Sequence, residues 1–140
     1  MRKYFTQIFI FLLMVLVLRA CSNKDEEGRI RLPEDAFAVE WVQWNQRQYA
    51  VRGKLRNNTG RSWEVLAVSV VYMDRQGDVI TTNRRPIFGV PADQTIRFSV
   101  PGPPAIRQGE YFNWRLAELE VYNNSDENYV YTFNGAKEEQ

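Results

Sequence analysis

The chain has no histidine and a single cysteine in 140 residues. The first absence removes the usual nitrogen ligand of metal sites, the base of Ser-His-Asp and Cys-His systems, and the commonest proton acceptor near neutral pH. The second excludes any disulfide within the chain. Past residue 18 there is no long apolar run, and no segment beyond that point keeps a helical period. Charge of one sign is also missing: 18 basic and 17 acidic side chains nearly cancel, so nothing argues for nucleic acid as a partner. No catalytic residue, metal site or cofactor is expected. Stability has to come from packing, and the aromatic content of 14% supplies large side chains for it.

What is present begins at the N-terminus. Arg2 and Lys3 make a short basic start, and Ile8 to Leu18 is an unbroken apolar run of eleven residues. A membrane-spanning helix needs about twenty, so the run has the length of a cleaved signal. Leu18-Arg19-Ala20-Cys21 follows, and Cys21 is the only cysteine. This resembles the signal of bacterial lipoproteins. Leu18, Ala20 and Cys21 match the lipobox, and Arg19 stands where that family has a small or apolar residue. The resemblance implies cleavage before Cys21, diacylglycerol on its sulfur and a third acyl chain (palmitate or similar) on its amine. More than one chain gives stable anchoring. Ser22, with no aspartate after the cysteine, implies delivery to the outer membrane, facing the periplasm. An ordinary secretory signal and an uncleaved anchor extended through Tyr4 and Phe5 are the alternatives.

Removing residues 1–20 takes away three bases and no acid, leaving 15 basic and 17 acidic side chains on one domain's length of chain. Four parts are expected: a signal peptide over 1–20, a flexible charged tether over 21–36, a folded domain over 37–134 and a polar tail over 135–140. The tether assignment rests on dense charge without periodicity, from Lys24 through Asp35.

From Phe37 onward the apolar residues alternate at the period of half-buried strands. Phe37, Val39 and Trp41 start one strand, and the phase slips at Val42 and Trp44, which predicts a bulge. Tyr49, Val51, Gly53 and Leu55 alternate with Arg52, Lys54 and Arg56. Asn57-Asn58-Thr59-Gly60 is a turn. Val65 to Tyr72 is apolar on both faces and reads as a central strand. Val79 and Ile80 begin a return after Asp74–Asp78, and Pro86, Gly89 and Pro91 suggest an irregular crossing. Ile96–Val100, Phe112–Val121 (with a second bulge near Ala117 and Glu118) and Tyr129–Phe133 complete about seven strands. Their number and spacing predict an all-β, single immunoglobulin-like antiparallel β-sandwich.

The pattern Val51-x-Gly53-x-Leu55-x-Asn57-x-Thr59-Gly60, then Val68-x-Val70-x-Tyr72-x-Asp74-x-x-Gly77-x-Val79-Ile80 and Pro91-x-x-x-Thr95-x-x-Phe98-x-Val100, resembles the FxLYD domains of bacterial surface proteins. Met73 interrupts the family's literal string. The resemblance implies an immunoglobulin-like fold and carries no catalytic residue.

Several groups invite a functional reading. Asp74–Asp78 has some oxygen ligands for calcium but is better read as a turn with Gly77 left-handed. Glu118 and Glu120 share a strand face and read as solvated charges. Arg52, Lys54 and Arg56 form a basic stripe, available to an acidic partner or paired with those glutamates. Trp41 and Trp114 are expected in the core. Trp44 and Trp63, nearer strand ends, are the surface candidates. The function expected is a non-enzymatic accessory or scaffold subunit, held in the membrane through the lipid on Cys21. It would dock a protein assembly of the cell envelope through Arg52, Lys54, Arg56, Trp44 and Trp63. The alternative is a carbohydrate- or peptidoglycan-binding lipoprotein using its surface tryptophans. Mass spectrometry of the native N-terminus tests the anchor: the expected species begins at an acylated Cys21, and recovery of Met1 or of an unmodified Cys21 refutes it.

Overall fold

A computed structural model describes residues 23–104, 112–124 and 127–134. The signal peptide, Cys21 and the polar tail over 135–140 lie outside the described residues.

Eight strands are described: β1 (Ile30–Arg31), β2 (Phe37–Asn45), β3 (Ala50–Asn57), β4 (Trp63–Met73), β5 (Val79–Val90), β6 (Thr95–Pro101), β7 (Asn113–Tyr122) and β8 (Tyr129–Thr132). They form a five-stranded sheet in the order β1-β8-β7-β4-β5 and a three-stranded sheet in the order β2-β3-β6. All pairings are antiparallel except β1 with β8. The chain changes sheet at β1 to β2, β3 to β4, β5 to β6 and β6 to β7, the layout of an immunoglobulin-like sandwich.

The core lies between the sheets and follows from alternation. On β3, Val51 and Leu55 point inward while Arg52, Lys54 and Arg56 point out. On β6 the inward residues are Phe98 and Val100. From the facing sheet come Leu66, Val68, Val70 and Tyr72 of β4 and Trp114, Leu116, Leu119 and Val121 of β7. The residues of β4 from Val65 to Tyr72 are buried on both faces: one set faces the core, and the small outward residues Ala67, Ser69 and Val71 lie between larger cross-strand neighbours such as Glu118, Glu120 and Arg84. The Tyr72 hydroxyl donates to the Val100 carbonyl across the core at 3.3 Å, and burial pushes its pKa up although the Val51 backbone opposes the shift. The phenol therefore stays a neutral donor.

Turn chemistry closes the strands. Asn57 is fully buried, and its amide donates to the carbonyls of Arg61 and Pro91 at 2.8 and 3.0 Å. Its side-chain oxygen accepts from the Thr59 N–H and hydroxyl. The Asp74 carboxylate accepts the N–H groups of Gln76 and Asp78, both at 2.9 Å, with Gly77 at φ 85°. That carboxylate is thus committed to the turn.

Three expectations about the strands are corrected. Residues 23–36 are not all tether, because Ile30–Arg31 is an eighth strand beside β8. The stretch around Pro86 is no irregular crossing: β5 runs unbroken to Val90. Proline is tolerated there because β5 is an edge strand, and a missing N–H on the open side costs no ladder bond. The slip in β2 also comes earlier than the apolar pattern suggests. Val39 pairs with Leu55 and Trp41 with Lys54, so Glu40 is the extra residue, Trp41 turns outward, and Val42 and Trp44 follow the inward phase.

Gly53 makes that bulge possible. A Cβ at this position would lie 2.6 Å from the Phe98 ring and 2.6 Å from the Trp41 carbonyl oxygen. The backbone of β2 and an aromatic ring occupy the space a side chain would need. Gly53→Ala is expected to destabilise the domain by about 1–3 kcal/mol through overpacking, read by chemical denaturation. An unchanged midpoint would mean that β2 is not bulged in this way.

Candidate functional site

The outer face of the three-stranded sheet collects the predicted basic stripe and extends it. Across the ladders, Lys54 pairs with Trp41 on one side and Arg97 on the other. Arg52 lies between Gln43 and Ser99, and Arg56 between Ala38 and Thr95. Cross-strand partners share a face. The sheet therefore presents Arg52, Lys54, Arg56 and Arg97 beside the Trp41 indole of the edge strand β2, which is 39% exposed.

One acid answers these four cations. Glu40 lies 3.9 Å from the Lys54 ammonium and accepts the Thr95 hydroxyl at 2.7 Å. Among the described residues, no carboxylate lies within ion-pair distance of Arg52, Arg56 or Arg97. Three guanidinium groups and one ammonium on the adjacent strands β3 and β6 give a positive potential held on a hydrogen-bonded frame.

The glutamates once paired with this stripe belong elsewhere. Glu118 and Glu120 sit on β7 in the other sheet. Arg29 reaches Glu118 at 2.9 Å and Glu120 at 3.3 Å, and Arg84 reaches Glu120 at 3.2 Å. They are neither neighbours of Arg52, Lys54 and Arg56 nor solvated edge charges, since two guanidinium groups occupy their oxygens. An open groove of about 500 Å³ beside them is lined by Asp25, Arg29, Arg31, Glu118, Tyr131 and Thr132, among others.

The tryptophans divide differently from the expectation. Trp63 is 2% exposed and its indole N–H donates to the Thr59 hydroxyl at 3.0 Å. Arg61 stacks over its ring at 4.5 Å, and Tyr129 packs against it at 5.3 Å. It is a core residue, so it is no docking anchor. Trp44 is partly buried at one end of the sandwich, edge-on to Phe112 at 4.8 Å and near Tyr72 at 6.4 Å. Trp114 is buried as expected. Trp41, expected inside, is the exposed one. Position near a strand end misleads here because β4 starts inside the sandwich, and the bulge at Glu40 reverses the side on which Trp41 emerges. Arg97 was legible only as an alternating residue of its own strand; its place beside Lys54 depends on the β3–β6 pairing.

No protein-family model matches the chain, and no curated protein matches it. Among solved structures the chain is similar to IrmA from Escherichia coli, with 8% sequence identity and a TM-score of 0.37 over 70% of this chain and 82% of that one. A likeness of this depth carries no argument about function.

The two tryptophans separate site from scaffold. Trp63→Ala is expected to lose roughly 3–5 kcal/mol of stability, as truncation of large core aromatics does. Trp41→Ala is expected to stay within about 0.5 kcal/mol of the native protein, as exposed positions do. Denaturant titration of both variants checks this; equal losses would place Trp41 in the core.

Proposed function

We propose that this chain is a membrane-anchored, non-enzymatic accessory subunit of the bacterial cell envelope. In this reading the lipid on Cys21 holds it in the outer membrane facing the periplasm, and the sandwich docks a larger protein assembly. The observation that carries the proposal is the face built from Arg52, Lys54, Arg56 and Arg97 beside the exposed Trp41, with Glu40 as its one acid among the described residues.

The chemistry of that face selects an acidic protein surface. An exposed aromatic on the edge strand β2 flanked by cations on β3 and β6 suits a docking patch, in which the ring anchors the complex and the charges steer approach. Trp41 and the four cations sit in strand ladders, so binding need not order their backbone, and the ordering cost falls on the side chains alone. The carbohydrate-binding alternative depended on Trp44 and Trp63, and of the four tryptophans Trp41 is the one that offers an open ring to a sugar.

A photo-crosslinking residue at position 43, opposite Arg52 on the same face, identifies the bound neighbour of the membrane-held protein, and binding is then measured at two salt concentrations. Arg52→Glu with Arg97→Glu is expected to slow association by roughly tenfold or more at low salt, and less at high salt. Trp41→Ala is expected to accelerate dissociation. Glycan quenching of Trp41 fluorescence with no crosslinked protein would favour the sugar-binding reading, and binding untouched by either variant would move the site off this face.

A further inference from the structure

Residues 23–31 are folded back on the domain. The Arg31 N–H donates to the Asn23 carbonyl at 2.7 Å and the Asp25 N–H to the Arg29 carbonyl at 2.9 Å, with Gly28 turning the chain at φ 78°. The Ile30 and Leu32 N–H groups donate to Asn128 and Val130 of the neighbouring strand region at 3.0 and 2.8 Å. This hairpin extends the edge of the five-stranded sheet beside β8, and the Arg29 side chain reaches past β8 to Glu118 and Glu120 of β7.

Arg29 fastens it. Its Nε contacts Asp25 at 2.7 Å, Nη1 contacts Glu118 at 2.9 Å and Glu120 at 3.3 Å, and Nη2 contacts Glu118 at 3.2 Å. The Arg29 side chain is only 14% exposed. Loss of solvent raises the Asp25 carboxyl, but the hydrogen bonds and charge of Arg29 prevail and hold it below its ordinary range. Without Arg29, Asp25, Glu118 and Glu120 would face one another with Arg84 alone to compensate. Removing one member of such a partly buried network is far more disruptive than losing an exposed ion pair.

We infer that the anchored domain lies directly on its membrane, with the edge formed by Asn23, Lys24 and Asn128 against the lipid headgroups. This rests on the anchoring of Cys21 proposed above. Asn23 is two residues from Cys21, and two residues span at most about 7 Å. A solvated spacer through Ala36 would add up to about 50 Å of reach. The hairpin removes that reach, and Lys24, 53% exposed and 3.8 Å from the Glu127 carboxylate, lies at the edge nearest the bilayer.

The test uses the full chain, processed by a lipoprotein-producing bacterium and reconstituted into vesicles of phosphatidylethanolamine and phosphatidylglycerol. With Cys21 acylated, Asn128→Cys supplies the only free thiol for a donor dye, and a headgroup-labelled lipid is the acceptor. Strong energy transfer is expected in the otherwise native protein. Insertion of a fourteen-residue Gly-Ser spacer after Ser22 leaves the hairpin intact and is expected to lower transfer severalfold. Arg29→Ala is expected to lower it too, and Arg29→Glu with Glu118→Arg to restore it in part, while strand content stays unchanged. Native transfer as weak as that of the spacer variant, on protein carrying the acyl mass and floating with vesicles, overturns the inference alone. Protein lacking the acyl mass and failing to float overturns the anchor and this inference together.

Discussion

The apolar layer between the two sheets has to stabilise this domain unaided, because the single cysteine closes no bridge within the chain. It does so with bulky residues: Trp63, Tyr72, Trp114 and Phe98 interleave with valine and leucine from five strands. Burial of large side chains gives the most apolar area per ordered residue. The one buried phenol that crosses the layer is satisfied by the Val100 carbonyl, so the core carries little polar cost.

Close packing of that layer reaches the surface through Gly53. Phe98 lies over the glycine from β6 and the Trp41 carbonyl approaches it from β2. The bulge this permits changes the parity of every β2 residue after Val39. Trp41 is thereby moved from the core to the cationic face, and Trp44 from the face to the core. A glycine with no polar chemistry of its own thus decides which indole a partner would meet.

Electrostatics divides the domain by sheet. The three-stranded sheet shows four cations and one acid, spaced along ladders and open to solvent. The five-stranded sheet holds its acids close, with Glu118 and Glu120 bound to Arg29 and Arg84. Charges spaced along an open sheet face attract a partner at a distance, whereas charges collapsed into a network hold two parts of the same chain together. The near-zero formal charge of the whole chain conceals this division.

The sequence by itself determined the strands and their class. Alternation from Val51 to Leu55 and from Ile96 to Val100 marks an inward and an outward side, and the double-sided apolar run from Val65 to Tyr72 marks a strand flanked on both edges. Asn57 through Gly60 and Asp74 through Asp78 punctuate them. These signals are local, because the period of a strand and the chemistry of a turn are written in neighbouring residues. Only the tertiary structure decided that Arg97 joins Lys54, that Trp41 faces out while Trp63 is buried, and that Arg29 binds glutamates some ninety positions away. Each of those depends on register and on contacts between distant segments, and a charged stretch such as 23–31 reads as solvated until the carboxylates that neutralise it are brought beside it.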